Sequence, residues 1–199
     1  MTAAGFTILD VVNTLAQVAS LIVVLAAAIA AIVQLRHLRA SNELEALLVL
    51  TEQLRAPQMQ KAFRFVQTEL NERLEEPAYR RDLARIGYVD ADAHPEMEVC
   101  NWFNEVGTLV KNRLVDEGTF LDLFARLVTY YWDRLQPVVA IMRRERGAGQ
   151  YENFEYLAHL ALVWKANHPA GAYPPGTPRL PSDDRWAALD AAPPVPELP

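Results

Sequence analysis

Residues 11–35 read VVNTLAQVASLIVVLAAAIAAIVQL and contain no charged residue. The densest part, residues 16–35, spans about 30 Å as an α-helix, which is the thickness of the hydrocarbon core of a bilayer. A buried core helix of a water-soluble protein is the alternative, but such helices rarely stay uncharged for so long. The stretch therefore predicts a single transmembrane helix, whose residues include Val11, Leu15, Leu21, Val24, Ile29 and Leu35.

The charges on the two sides of this stretch differ in sign. Asp10 is the only charged residue before it, whereas Arg36, His37 and Arg39 follow it closely. A cleaved signal peptide would begin with a basic segment, so we expect the helix to remain in the protein. Positive residues stay on the cytoplasmic side, and Arg36 and Arg39 therefore act as topology determinants. They predict residues 1–10 outside the cell (plasma or inner) membrane and the rest of the chain in the cytoplasm.

Composition excludes several classes of protein. The 199 residues carry 19 Lys and Arg against 25 Asp and Glu, a formal net charge of −6, whereas nucleic-acid-binding proteins present a basic face. The single cysteine, Cys100, excludes an intrachain disulfide and a zinc ribbon. No nucleophile-elbow, Walker or dinucleotide-binding motif is present. We therefore predict no catalytic, cofactor-binding or metal-binding residue.

Residues 36–168 have a helical pattern throughout. Apolar residues recur at spacings of three and four, and the connections are short, which predicts an all-α antiparallel helical bundle. The first helix is expected to continue from the membrane to Arg55, because no Gly or Pro interrupts it before Pro57. Its predicted inward face contains Leu44, Leu47, Leu48 and Leu54.

The helices that follow are placed by their apolar stripes and by Gly, Pro and capping residues. We predict a helix from Pro57 to Pro77, a short helix over 78–86 closed by Gly87, and a helix capped by Asp92. A turn at Gly118 precedes a long helix that Pro137 kinks or splits, and Tyr151–Asn167 is the last helix. The predicted inward residues are Met59, Phe63, Val66, Leu70; Val99, Phe103, Val106, Val110; Phe120, Phe124, Leu127, Tyr131, Leu135, Val138, Met142; Phe154, Leu157, Ala161 and Trp164.

Residues 169–199 form a tail that contains nine of the 13 prolines. This composition cannot bury a core, so the tail is expected to be disordered or extended. A short docking helix over 182–191, capped by Ser182 and using Trp186 and Leu189, is the exception that we predict. Pro-x-x-Pro spacing at 175–178, 178–181 and 196–199 leaves open a polyproline ligand, although proline-rich tails produce such spacing by chance.

Several polar residues are candidates for a functional site, but each also fits an ordinary structural role. Glu155 and His159, and likewise His94 and Glu98, have helical spacing that favours surface pairing over metal binding. Cys100 is expected to pack as a small apolar residue.

Two further segments suggest packing contacts. Gly107 predicts a close helix contact, with Asn104 and Glu105 beside it as either a polar site or a solvated edge. Glu155 is expected to find an arginine partner among Arg143, Arg144 and Arg146.

Several motifs resemble a family of bacterial proteins described only as a domain of unknown function. They are QLRHLR at 34–39, SNE at 41–43, FNEVG at 103–107, WDRLQP at 132–137 and YENFEYL at 151–157. The resemblance covers about residues 10–165 and excludes the tail. It implies a small membrane-anchored protein with a cytoplasmic helical domain, and it assigns no activity and no functional residue.

The favoured function is a membrane-anchored interaction or scaffold module that binds itself or another protein. Close approach of helices at Ala26–Ala31 makes a homodimer the first partner to test. Two alternatives stay open: a signalling or effector component that recruits a partner through its tail, and a membrane-tethered enzyme with an unrecognised helical site. The enzyme would need inward carboxylates or histidines in a pocket.

Overall fold

The computed structural model describes residues 8–87 and 89–190, and within these ranges every regular element is an α-helix. The helices in chain order are α1 (Ile8–Arg55), α2 (Pro57–Thr68), α3 (Leu70–Glu75), α4 (Pro77–Ala84), α5 (Glu96–Lys111), α6 (Glu117–Arg146), α7 (Glu152–Asn167) and α8 (Ala187–Asp190). The predicted all-α fold with one long apolar N-terminal helix is confirmed.

Helix α1 runs for 48 residues without a break. It is the one helix of the described residues that is long and apolar enough to cross a membrane, and 0% of its most apolar window is buried. All six residues predicted to lie in the membrane are exposed, and so is Arg36, while the side chain of Arg39 lies outside the described part. The first half of α1 thus lacks the packing that a core helix of a soluble protein would have.

The last part of α1 joins the helical domain through Leu50 and Leu54, which are buried, and through Leu47, which is partly buried. The prediction that Leu44 and Leu48 share this inward face is wrong, since their side chains are 60% and 62% exposed. Only one side of α1 touches the domain, and the 3.6-residue turn carries these two leucines away from that side.

Pro57 begins α2 and Pro77 begins α4, each in the first turn, where a missing N–H costs no helical hydrogen bond. The predicted single helix from Pro57 to Pro77 is interrupted at Glu69, which caps α2 with φ −121°. Helix α4 ends at Ala84 rather than residue 86, and Gly87 follows in a left-handed conformation, with φ 107°.

The predicted cap at Asp92 is wrong. Helix α5 begins at Glu96 with Pro95 as its cap, and Asp92 lies in the preceding turn, where its N–H donates to the Asp90 carboxylate at 3.0 Å. The carboxylate that accepts a backbone N–H in this turn is therefore that of Asp90, in a bond that aspartate often makes in turns.

Helix α6 is continuous for 30 residues across Pro137, so the predicted split does not occur. Its cap is Asp116, whose carboxylate accepts from the Thr119 N–H at 2.8 Å. Gly118 therefore lies in the first turn of α6 instead of in a loop. The helix ends as predicted at Gly147, with φ 83°.

Aromatic side chains from three helices form the centre of the core. Phe103 of α5 stacks on Phe154 of α7 with ring centroids 4.7 Å apart, and Trp132 of α6 meets Phe154 edge-on at 5.0 Å. The predicted inward residues of α2, α5, α6 and α7 are all buried except Phe124, Leu127 and Trp164, which are partly buried. Residues 99–110, 120–142 and 154–164 thus surround one apolar interior, as their spacing predicts.

In the described part of the tail, residues 169–187 and Asp190 are exposed. The predicted docking helix over 182–191 is only the four-residue α8, and Trp186 before it is 54% exposed. Asp184, not Ser182, accepts from the backbone there, with its carboxylate 3.0 Å from the Trp186 nitrogen. The side chain of Leu189 and the Pro-x-x-Pro at 196–199 lie outside the described residues.

Candidate functional site

Four polar side chains form a buried network, here called the His94 cluster: Tyr79, Asp82, His94 and Glu96. The Tyr79 hydroxyl donates to Glu96 Oε2 at 2.7 Å, and His94 Nδ1 lies 2.9 Å from Glu96 Oε1. His94 Nε2 lies 3.1 Å from Asp82 Oδ2. Glu96 is fully buried and His94 is 1% exposed, whereas the Asp82 side chain is 44% exposed. The cluster therefore runs from the protein interior to the surface.

Local structure explains how these residues meet. Tyr79 and Asp82 are three residues apart on α4 and share one face, while Glu96 is the first residue of α5, where a carboxylate is favoured by the helix dipole. His94 lies between the two helices, and its ring packs on the Tyr79 ring with centroids 4.3 Å apart. The cluster thus fastens α4 to the start of α5.

Two neighbouring carboxylates raise the pKa of His94. Burial lowers the pKa of its imidazole, but the hydrogen bonds and negative charges of Glu96 and Asp82 outweigh this and raise the pKa above its usual value. When both ring nitrogens carry protons, His94 donates to both carboxylates. A cation between two anions satisfies each buried group.

The neighbouring groups with raised pKa values are buried and stay protonated, which does not suit a nucleophile. Burial and the Glu96 charge raise the pKa of the Tyr79 hydroxyl, and the same two causes raise the pKa of the Cys100 thiol. The expectation that Cys100 packs as a small apolar residue is confirmed, because its exposed fraction is 0%. His94 and Glu96 are equally inaccessible, so the arrangement suits fastening two helices and not contact with a substrate.

We predict that this cluster makes the protein less stable as the pH rises. Because the pKa of His94 is raised on folding, its stabilisation is complete below pH about 6.5 and is lost as the pH rises through the higher pKa of the folded state. The melting temperature of the full chain should fall over this range, and His94→Gln should reduce the fall. His159→Gln, an exposed histidine on α7, is the control. An unchanged pH profile in the His94 variant would contradict the assignment.

A second polar contact joins α5 to α7 at Gly107. A Cβ atom at Gly107 would lie 2.1 Å from the Asn153 carbonyl oxygen, so the predicted close helix contact is confirmed. Asn104 Oδ1 accepts from the Asn153 N–H at 3.2 Å, and Asn153 Nδ2 donates to the Thr108 hydroxyl at 2.9 Å. Asn104 therefore satisfies a backbone donor at the start of α7. It serves packing, whereas Glu105 points to the solvent-exposed side.

Tyr151, directly before α7, has an unusual backbone conformation that its side-chain contacts hold in place. The residue caps α7 in the left-handed conformation, with φ 57°, which is costly for a residue with a side chain. Its buried ring and the hydrogen bond from its hydroxyl to Asn101 Oδ1, at 3.0 Å, hold it there.

The remaining candidates have surface roles. Arg143 donates to Glu155 at 2.8 Å, which confirms the predicted arginine partner, and His159 is exposed. The prediction that His94 pairs with Glu98 is wrong, because its partners are Glu96 and Asp82. Within residues 8–87 and 89–190, no three His, Cys, Asp or Glu side chains are grouped to hold a metal ion.

Sequence reasoning missed Tyr79, Asp82 and Glu96 altogether. One signal for Glu96 was present: it lies three residues before Val99 and seven before Phe103, in phase with the buried stripe of α5. A charged residue in phase with an apolar stripe indicates a buried partner. No comparable pattern singled out Tyr79.

Comparison with known proteins yields one match. The family model described as "Domain of unknown function (DUF4760)" matches residues 21–160, from within the apolar helix to α7. No curated protein and no solved structure matches the chain.

Proposed function

Because the chain belongs to the DUF4760 family, which has no assigned activity, we propose from its architecture that it is a single-pass membrane protein presenting a helical interaction module in the cytoplasm. One observation carries the proposal: a single unbroken helix contains both the exposed apolar segment and the residues, Leu50 and Leu54, that pack into the helical domain. The apolar segment and the helical domain are then joined by one continuous helix. This connection suits a protein that holds a binding surface at a membrane.

Membrane association is tested by alkaline extraction of membranes from cells that express the full chain. The chain should stay in the pellet, and Val24→Arg with Ile29→Arg should release it, because two arginines at the bilayer centre are costly. Leu44→Arg with Leu48→Arg, outside the apolar segment, is the matched control and should remain in the pellet. Release of the unaltered chain would refute the anchor.

Orientation is tested with engineered cysteines. Cys100 is the only cysteine and is buried, so Cys100→Ala supplies a background without thiols. A membrane-impermeant maleimide should label Thr2→Cys on intact cells and Ser182→Cys only after lysis, if Arg36 and Arg39 retain the domain inside. The reverse pattern would overturn the cytoplasmic assignment.

The interaction role is tested by proximity labelling in cells. The full chain is compared with a chain beginning at Ser41, which lacks the apolar segment. We expect a defined set of membrane-protein neighbours that is lost with the segment. Identical neighbours for both chains would contradict a role that depends on the membrane.

A second copy of the chain is the partner that α1 itself supports. Ala16, Ala19, Ala26 and Ala30 lie along one side of the helix, and the exposed Leu44 and Leu48 continue that side beyond the apolar segment. Small residues permit close helix approach in lipid, and two leucines give the extension an apolar surface to cover. Crosslinking in membranes should trap a dimer through Leu48→Cys in the Cys100→Ala background. Monomer alone in both crosslinking and detergent sizing would exclude it.

A further inference from the structure

A groove runs between α1 and α5 and continues over the start of α2. It consists of three adjoining cavities of about 360, 270 and 550 Å³. The first two share Gln53 and Glu105, and the last two share Gln58 and Glu98, so the three cavities lie in a row next to one another. The groove thus extends along parts of three helices, α1, α2 and α5.

The first two cavities have an apolar floor. It is formed by Leu50, Met59 and Trp102, which are buried, with Val49 exposed at its edge. The uncharged polar side chains that line the same stretch are Gln53, Gln58 and Asn101. The Trp102 indole N–H, a polar donor in this floor, already donates to Gln53 Oε1 at 3.1 Å. An apolar stripe on a partner could therefore lie against this floor without leaving that donor unpaired.

The rim of the groove is acidic on both sides. Glu45 lines it from α1, and Glu98 and Glu105, seven residues apart on α5, line it from the other side. Asp92 extends the acidic rim towards α2, where Lys61 is the one basic residue that lines these cavities. A separation of seven residues is about two helical turns, so both charges lie on the same side of α5 along the groove.

The negative charge of the groove is local and does not follow from the composition of the helical domain as a whole. Residues 36–168 contain 17 Lys and Arg and 20 Asp and Glu. The groove takes four of the acids (Glu45, Asp92, Glu98 and Glu105) and one of the bases (Lys61), which leaves 16 of each elsewhere. The whole negative excess of the helical domain therefore lies along the groove.

We propose that this groove binds a basic amphipathic helix of a partner protein, an inference that rests on the interaction role proposed above. A helix with an apolar stripe fits the floor, and Lys or Arg on its two flanks would meet the acidic rims. Complementary charge on both sides orients the helix and speeds its association.

The test uses the full chain in nanodiscs of neutral phosphatidylcholine. The probe is a fluorescent 18-residue Lys/Leu peptide with helical spacing, and its anisotropy is corrected with empty discs. We expect saturable binding that Glu98→Lys with Glu105→Lys weakens at least tenfold. Glu72→Lys with Glu75→Lys, two exposed acids on α3 outside the groove, is the matched control and should stay within twofold of the unaltered chain.

A peptide with Glu in place of Lys completes the design. It should not bind the unaltered chain and should gain affinity for the Glu98→Lys, Glu105→Lys variant. Equal binding of the Lys/Leu peptide to groove and control variants, or no binding to either, would overturn the proposal, as would a groove variant that alters only lipid binding or oligomeric mass. Loss of the chain from the discs before peptide is added would count against the membrane anchor instead, so the two failures are distinguishable.

Discussion

Gly107→Ala should lower the melting temperature of the full chain in mild detergent by about 8 °C. The added methyl group would lie 2.1 Å from the Asn153 carbonyl oxygen and 2.7 Å from its carbon, and both are backbone atoms. Relief requires α7 to move away from α5, which disrupts the Phe103–Phe154 stack. Overpacking of this kind costs about 3 kcal/mol, which outweighs the gain of about 1 kcal/mol from replacing a helical glycine. Each kcal/mol corresponds to roughly 4 °C for a domain of this size.

Gly118→Ala is the matched control for that experiment. Gly118 is also helical, but a Cβ atom there meets nothing closer than Asp116 Oδ1 at 3.5 Å. Alanine has a higher helix propensity than glycine, and no steric clash offsets that gain at this position. The melting temperature should therefore rise by roughly 2–4 °C. If the two variants changed stability in the same direction, the close contact between α5 and α7 would not be the cause.

Glu96→Ala should lower the melting temperature by a similar amount. The change removes the acceptor of the Tyr79 hydroxyl and of His94 Nδ1, and both donors stay buried. Breaking a buried charged pair by removing one partner costs about 3 kcal/mol, because the groups left behind lack both water and a hydrogen-bond partner. Near-ultraviolet circular dichroism reports the loss of tertiary packing on heating.

Two further variants separate the charge of Glu96 from its position. Glu98→Ala, two residues along the same helix, should change stability by less than about 0.5 kcal/mol, as for most positions outside a buried network. Glu96→Gln keeps an acceptor and should retain part of the stability while flattening the pH profile expected from His94. A fully stable Glu96→Ala protein would show that the cluster does not fasten α4 to α5.

Periodicity was sufficient for the parts of the fold that depend on local pattern. Long stripes such as Phe120–Met142, and the uncharged residues 11–35, predict helices because spacing alone determines which side of a helix is apolar. The close contact at Gly107 was also predictable, since a glycine inside a helix has a cost that only packing offsets. These features depend on residues near each other in the chain.

The errors arose where distant residues or competing local bonds decide the outcome. Leu44 and Leu48 belong to an apolar pattern, but which side of α1 meets the domain depends on the position of α2. Asp92 has the chemistry of a helix cap, yet its backbone N–H bonds to Asp90 in a turn. His94 meets Asp82, 12 residues away, through folding that no single spacing specifies.

Because α1 is unbroken, its length also fixes the distance between the apolar segment and the helical domain. From Arg36 to Leu50, the first buried core residue, the helix advances 14 residues, or about 21 Å at 1.5 Å per residue. Under the proposed topology, in which Arg36 lies at the lipid headgroups, the domain would stand off the bilayer by that distance. A partner anchored in the same bilayer would need a tether of at least six or so extended residues, at roughly 3.5 Å each, to reach it. Under the proposed function, this standoff would select partners by reach as well as by charge.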